Sequence, residues 1–189
     1  QTPNPESLKF VTNKMLYAGT ADFRTRELAD EYSPLAAALF DLPYVKSVYI
    51  CNNFVTLTKE LNYAWEDLMI RTKDFIKNYV AEEKPVILDG FAEAMTAAED
   101  KRMSEINYSE DDGEMVKRIR ELIDTYVKPA VEMDGGNIEF KSYHDGVVTL
   151  IMQGACSGCP SSTVTLKSGI EAMLKRMIPQ VKEVVQEMA

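Results

Sequence analysis

"NIEFKSYHDGVVTLIMQGACSGCPSS", Asn137–Ser162, decides the architecture of the second half of the chain. "NIEFKSY" and "VVTLIMQ" alternate apolar and polar residues, which predicts two strands. His144-Asp145-Gly146 between them predicts a hairpin turn. The next residues are small and carry Cys156 and Cys159 at Cys-x-x-Cys spacing. Downstream, Leu166, Ile170, Met173, Leu174, Met177 and Ile178 recur at helical spacing. The cysteine loop therefore lies between a strand and a helix. Ser161 or Ser162 is placed to cap that helix, and its positive end would stabilise thiolates in the loop. Gly154, Ala155, Ser157 and Gly158 are small enough to leave backbone N–H groups open to a bound sulfur.

Working outward, Val116, Ile119, Leu122, Ile123 and Tyr126 predict an upstream helix with one apolar face. Pro129 is placed to kink it. Asp134-Gly135-Gly136 is placed to end it, because glycine takes the left-handed conformation of a helix stop. Pro179 follows the last helix, and "VKEVVQ" reads as a closing strand. The order of the second half is α-β-β-α-β.

The first half reads as a separate α+β unit. "SLKFVT" has a strand pattern, "TRELADEY" a helical one, and Ser33-Pro34 opens a further helix with Pro at its first position. "VKSVYIC" and "FVTLTK" predict a hairpin turned by Asn52-Asn53, since Asn tolerates positive φ. Trp65, Leu68, Met69, Phe75, Ile76 and Tyr79 predict a helix from about Ala64 to Val80. Charge divides the chain in the same places. Residues 82–112 hold ten acids against three bases, whereas 1–81 and 113–189 each carry a net −1. The fold class expected is α+β: two small domains, 1–81 and 113–189, joined by an acidic, partly helical linker over 82–112. "PVILDGF" is apolar enough to dock on the first domain, and Asn107–Gly113 is the most linker-like piece.

A net charge of −9 argues against nucleic acid as a partner. No run approaches the ~20 apolar residues that span a bilayer. Three cysteines are too few for a disulfide framework, which favours a reducing compartment. No charged-then-apolar signal segment opens the chain. Bacterial cytoplasm is expected, and the opening Gln1 leaves a mature organellar protein as the alternative.

The Cys pair supports three chemistries. A thiol–disulfide oxidoreductase would use Cys156 and Cys159 as a dithiol, but that reading expects a βαβ unit before the pair. Structural zinc needs four ligands, and the chain offers two cysteines plus His144, at the far end of a turn. Cys51 reads as a small buried hydrophobe in the other domain. An iron–sulfur cluster also needs four ligands. Two copies of one loop about a two-fold axis would supply them, giving a shared site that fills and empties easily.

"MQGACSGCPSSTVTLKSGIEAML", with "VKPAVEMDGGNIEF" upstream, closely resembles the C-terminal domain of the NifU-like, or Nfu, iron–sulfur scaffold family. "QTPNPESLKF", "SPLAAALFDLPYVKSVYICNNFVTLTK" and the "WEDL" helix resemble the family's N-terminal domain. The resemblance implies a carrier and not an enzyme. It implies a homodimer that holds a [4Fe–4S] cluster between subunits, with [2Fe–2S] open as a transient form. It implies upstream cluster donors and client apo-iron–sulfur proteins as partners. Cys156 and Cys159 match the family's ligand cysteines, and Asp134, Gly135 and Gly136 match a motif read as structural.

Overall fold

The computed structural model describes residues 2–104, 110–157 and 160–188. Two sheets lie back to back, each carrying helices on its outer face. The first sheet contains β1 (Ser7–Val11), β2 (Tyr17–Phe23), β3 (Val45–Asn52) and β4 (Phe54–Lys59) in the antiparallel order β1-β4-β3-β2. Asn52 turns the β3–β4 hairpin with φ 48°. β2 had no clear signal in the sequence. It is an edge strand with a register shift between Tyr17 and Thr20, so its alternation is broken where a reader would look for it.

Helices α1 (Arg26–Tyr32), α2 (Pro34–Phe40) and α3 (Trp65–Ala81) cover one face of this sheet. The Ser33 hydroxyl accepts the Ala36 N–H at 3.1 Å and fixes the start of α2. Period two decides which strand residues they meet. Val48 and Ile50 of β3 join Leu35, Leu39 and Ile76 in the core, while Tyr49 and Cys51 point to the opposite face. Phe91, in the acidic middle segment, is 2% exposed and stacks near Tyr17, Phe23 and Tyr32. That anchor opens α4 (Phe91–Ser104).

The second sheet contains β5 (Gly136–His144), β6 (Val147–Gly154) and β7 (Glu183–Met188) in the order β5-β6-β7. β5 and β6 are antiparallel, and β7 runs parallel to β6. A parallel neighbour needs a crossover, which α7 (Pro160–Met177) provides. Asp145 and Gly146, both at positive φ, turn the β5–β6 hairpin. α5 (Glu110–Leu122) already begins within the acidic, partly helical linker expected over 82–112, so Glu110–Gly113, the end of its most linker-like piece, is helical. Residues 107–109 of that expected linker lie outside the described residues.

A π turn over Ile123–Val127 joins α5 to α6 (Lys128–Met133). Pro129 brings no backbone N–H to bond back, and the chain widens just before it. The widened turn resets the buried stripe to Ile123, Val127 and Val131. Tyr126, expected on the apolar face, is consequently 61% exposed. Among the described residues, no helix is long and apolar enough to cross a membrane.

The inner faces of the two sheets meet, with β3 and β4 against β6. Val148, Leu150 and Met152 of β6 point to its own helices. Ile151, on the opposite face, is still only 5% exposed.

Candidate functional site

The cysteine loop leaves β6 at Gly154 and enters α7 at Pro160. Pro160 occupies the start of the helix, where a missing N–H is harmless. Ser161 and Ser162, expected as caps, therefore fall inside the helix. Gly158 and Cys159 lie outside the described residues. Cys156 is half-buried and packs against the second core.

Three glycines pack closely around the base of the loop, and one of them, Gly136, makes room for Cys156. α6 ends at Asp134, and Gly135 follows at φ +83°, the left-handed stop expected from the sequence. The Gly135 carbonyl then accepts the Ala155 N–H at 3.2 Å. A Cβ on Gly136 would lie 2.7 Å from Cys156 Sγ, 2.8 Å from the Gln153 carbonyl and 3.1 Å from the Cys156 nitrogen. A Cβ on Gly154, at φ +62°, would lie 2.7 Å from the Gly135 carbonyl. The Asp-Gly-Gly segment is thus the seat of the thiol as well as a helix stop. Sequence reasoning found the stop but missed the seat, because the contact pairs residues twenty apart across the β5–β6 ladder.

The electrostatics differ from expectation. Burial pushes the Cys156 thiol up to about 12, and the Asp134 carboxylate adds to the shift. Desolvation of a thiolate outweighs any help from the start of α7. Cys51 is 1% exposed, as a buried hydrophobe should be. Its thiol donates to Glu132 Oε1 at 3.4 Å, so it sits at the junction of the two sheets. His144 pairs with Val147 at the far end of the hairpin, while Gly136 pairs with Gly154 beside the loop. At roughly 3.3 Å per residue these ends lie about 26 Å apart, which removes His144 from the ligand set. Among the described residues, no group of three or more His, Cys, Asp or Glu could hold a metal ion.

The first unit holds the loop from the other side. Asn4, 1% exposed, donates from Nδ2 to the Ser157 carbonyl at 3.3 Å and accepts the Glu6 N–H at 2.9 Å. Arg24 donates to the Met152 carbonyl at 2.6 Å and to Asp22 Oδ2 at 2.8 Å. Burial pushes the Asp22 carboxyl up, opposed by Arg24 and by the Gly154 backbone N–H that it accepts. Lys9 donates to the Glu132 and Met133 carbonyls at 2.8 and 3.2 Å. A cation there satisfies the free carbonyls at the end of α6. The ring of Tyr49 lies against Gly154. No sequence signal marked Asn4 or Arg24, since each acts on backbone atoms more than 100 residues away.

The NifU-like domain model matches residues 119–185, and the model for the N terminus of the scaffold protein Nfu/NifU matches residues 1–83. The chain is 43% identical to NifU-like protein 5, mitochondrial, of Arabidopsis thaliana, over 98% of this chain and 66% of that protein. It is 43% identical to the NFU1 iron-sulfur cluster scaffold homolog, mitochondrial, of Drosophila willistoni, over 98% of this chain and 61% of that protein. It is 40% identical to the Homo sapiens protein of the same name, over 99% of this chain and 70% of that protein. The chain thus spans 61% to 70% of the length of these relatives. All three are mitochondrial by name, which overturns the expectation of a bacterial cytoplasm. With two family models matched in order and about 40% identity along its whole length, the chain belongs to the Nfu/NifU-like family of iron–sulfur cluster scaffold proteins.

Proposed function

We propose that this chain is a mitochondrial carrier, not an enzyme, that holds a [4Fe–4S] cluster between two subunits and passes it to apo-proteins. Cys156 and Cys159 of each subunit supply the four thiolates. The observation that carries this reading is the seat built for Cys156 by Gly136, beside a ligand set that is incomplete among the described residues. A seated thiol with too few ligating neighbours among the described residues suits a cargo that is complete only when two loops meet. The role of Cys159 rests on its spacing from Cys156.

The Cys156 environment also weighs against the dithiol alternative. A nucleophilic disulfide-exchange cysteine needs a lowered pKa, and burial moves this thiol up to about 12. Coordination to iron removes the proton outright, so a buried thiol is compatible with a ligand but not with a free thiolate. Anaerobic reconstitution with iron and sulfide tests the proposal, read by the mass of the product and its iron and sulfide content per chain. A coloured dimer is expected, with two irons per chain, and a Cys156→Ser/Cys159→Ser variant should remain colourless. A wild-type chain that stays monomeric, with no more absorbance than this variant, would overturn the reading.

A further inference from the structure

Among the described residues, β1 forms one edge of the first sheet and bonds only to β4. Lys59 N–H donates to the Glu6 carbonyl at 2.9 Å, and Thr12 N–H to the Asn53 carbonyl at 2.7 Å. Antiparallel ladders bond through every second residue, so Glu6, Leu8, Phe10 and Thr12 turn their backbone groups to β4. Lys9 and Val11 turn theirs to the open edge. Ser7 is already satisfied there, since its N–H donates to the Asn4 carbonyl and its carbonyl accepts from the Thr2 hydroxyl. Two residues of strand edge, Lys9 and Val11, are thus left without a neighbouring strand.

That edge is one wall of a groove of about 810 Å³. Leu8 through Lys14 form the strand wall without a break, and α3 forms the other. Its apolar surface includes Val11, 66% exposed, and Met69, 45% exposed. Lys73 and Lys77 stand exposed on the α3 wall, and neither is in an ion pair among the described residues. Two unpaired cations beside an apolar groove stand out in a chain of net charge −9.

Lysines on an edge strand often serve only to repel other strands. Here the strand's own lysine does not do so. The Lys9 ammonium is turned over the Phe54 ring, 3.9 Å from its centroid, and onto the end of α6. Lys14, at the end of the same wall, is paired with Glu83 at 2.8 Å, which leaves Lys73 and Lys77 across the groove. An open strand edge opposite a helix, with apolar surface between, is the geometry by which a sheet accepts an added strand. Cations on the helical wall select for acidic side chains on that strand.

We propose that β1 and α3 form a docking groove for an extended, acidic and apolar segment of a partner protein, added as a strand beside β1. The site lies on the first unit, and the proposal does not rest on how the cysteine loop holds its cargo. It is tested on the full metal-free chain with a fluorescent, N-acetylated peptide of alternating Val and Glu, about seven residues long to match a strand-addition site. Anisotropy should show saturable binding, with the Val/Lys counterpart at least about tenfold weaker. Amide exchange at Lys9 and Val11 should slow on binding. Val11→Pro removes an outward-facing donor that bonds to no strand, together with a side chain lining the groove, and should weaken binding by about tenfold or more. Lys73→Glu/Lys77→Glu should do the same and reverse the salt dependence, because salt then screens a repulsion.

No binding at millimolar peptide would overturn the proposal. So would binding that leaves exchange at Lys9 and Val11 unchanged, or that is equally tight in the charge-reversed variant. Self-association of the metal-free chain that Val11→Pro abolishes would assign the edge to a second copy and overturn it too. If Val11→Pro does not fold, the exchange measurement and the lysine variant decide.

Discussion

Gly136→Ala tests the seat of Cys156 directly. The new Cβ would stand 2.7 Å from Sγ and 2.8 Å from the Gln153 carbonyl, where ordinary contacts are about 3.5–4.0 Å. The thiol can rotate away, but the carbonyl belongs to the β5–β6 ladder and cannot. The overlap must therefore be relieved by moving the loop or opening the ladder. Overpacking of this kind costs about 1–3 kcal/mol, and each kcal/mol lowers Tm by roughly 2–4 °C in a chain of this size. If the displaced loop presents Cys156 less well by even 1 kcal/mol, cluster loss to a chelator should quicken about fivefold. The assay pairs thermal unfolding of the apo chain with the rate of iron loss after reconstitution. Gly169→Ala is the control. It lies within α7 and its Cβ would meet nothing within 4 Å, so it should gain about 0.5–1 kcal/mol. A Gly136→Ala chain with parental Tm and parental iron retention would refute the reasoning.

Three further outcomes follow from the junction of the sheets. Thr56 Oγ1 is buried without a hydrogen-bond partner, so the isosteric Thr56→Val should raise stability by about 1 kcal/mol; an unchanged or lower Tm would contradict this. Asn4→Ala removes the bond to the Ser157 carbonyl and should cost about 1–2 kcal/mol, with faster amide exchange across residues 154–157. Asp22 has its pKa raised above 3.8 by burial. The folded state therefore holds this proton to higher pH than the unfolded state does. Its contribution to stability is present below 3.8 and is lost as pH rises through the raised value. Asp22→Asn should remove that falling component; identical pH slopes in denaturant titrations of the two chains would contradict it.

Much of the fold was legible because its signals are local. Ser33-Pro34 starts α2, Asn52 turns the first hairpin, Asp145-Gly146 turns the second, and each acts on its nearest neighbours. β2 was not legible, because a bulge interrupts its alternation. Tyr126 was misplaced because one widened turn before Pro129 shifts the helical phase.

The sequence by itself determined the outline of the candidate site: a Cys-x-x-Cys pair on small residues between a strand and a helix, with too few ligands in one chain. Spacing is enough for that, since a strand and a helix fix the ends of the loop between them. Only the tertiary structure decided the state of the thiol and what holds it. Gly136 meets Cys156 through the β5–β6 register. Asn4 and Arg24 reach the loop's surroundings from the other unit. Burial, a property of the packed whole, outweighs the helix end and pushes the Cys156 thiol up in the metal-free chain.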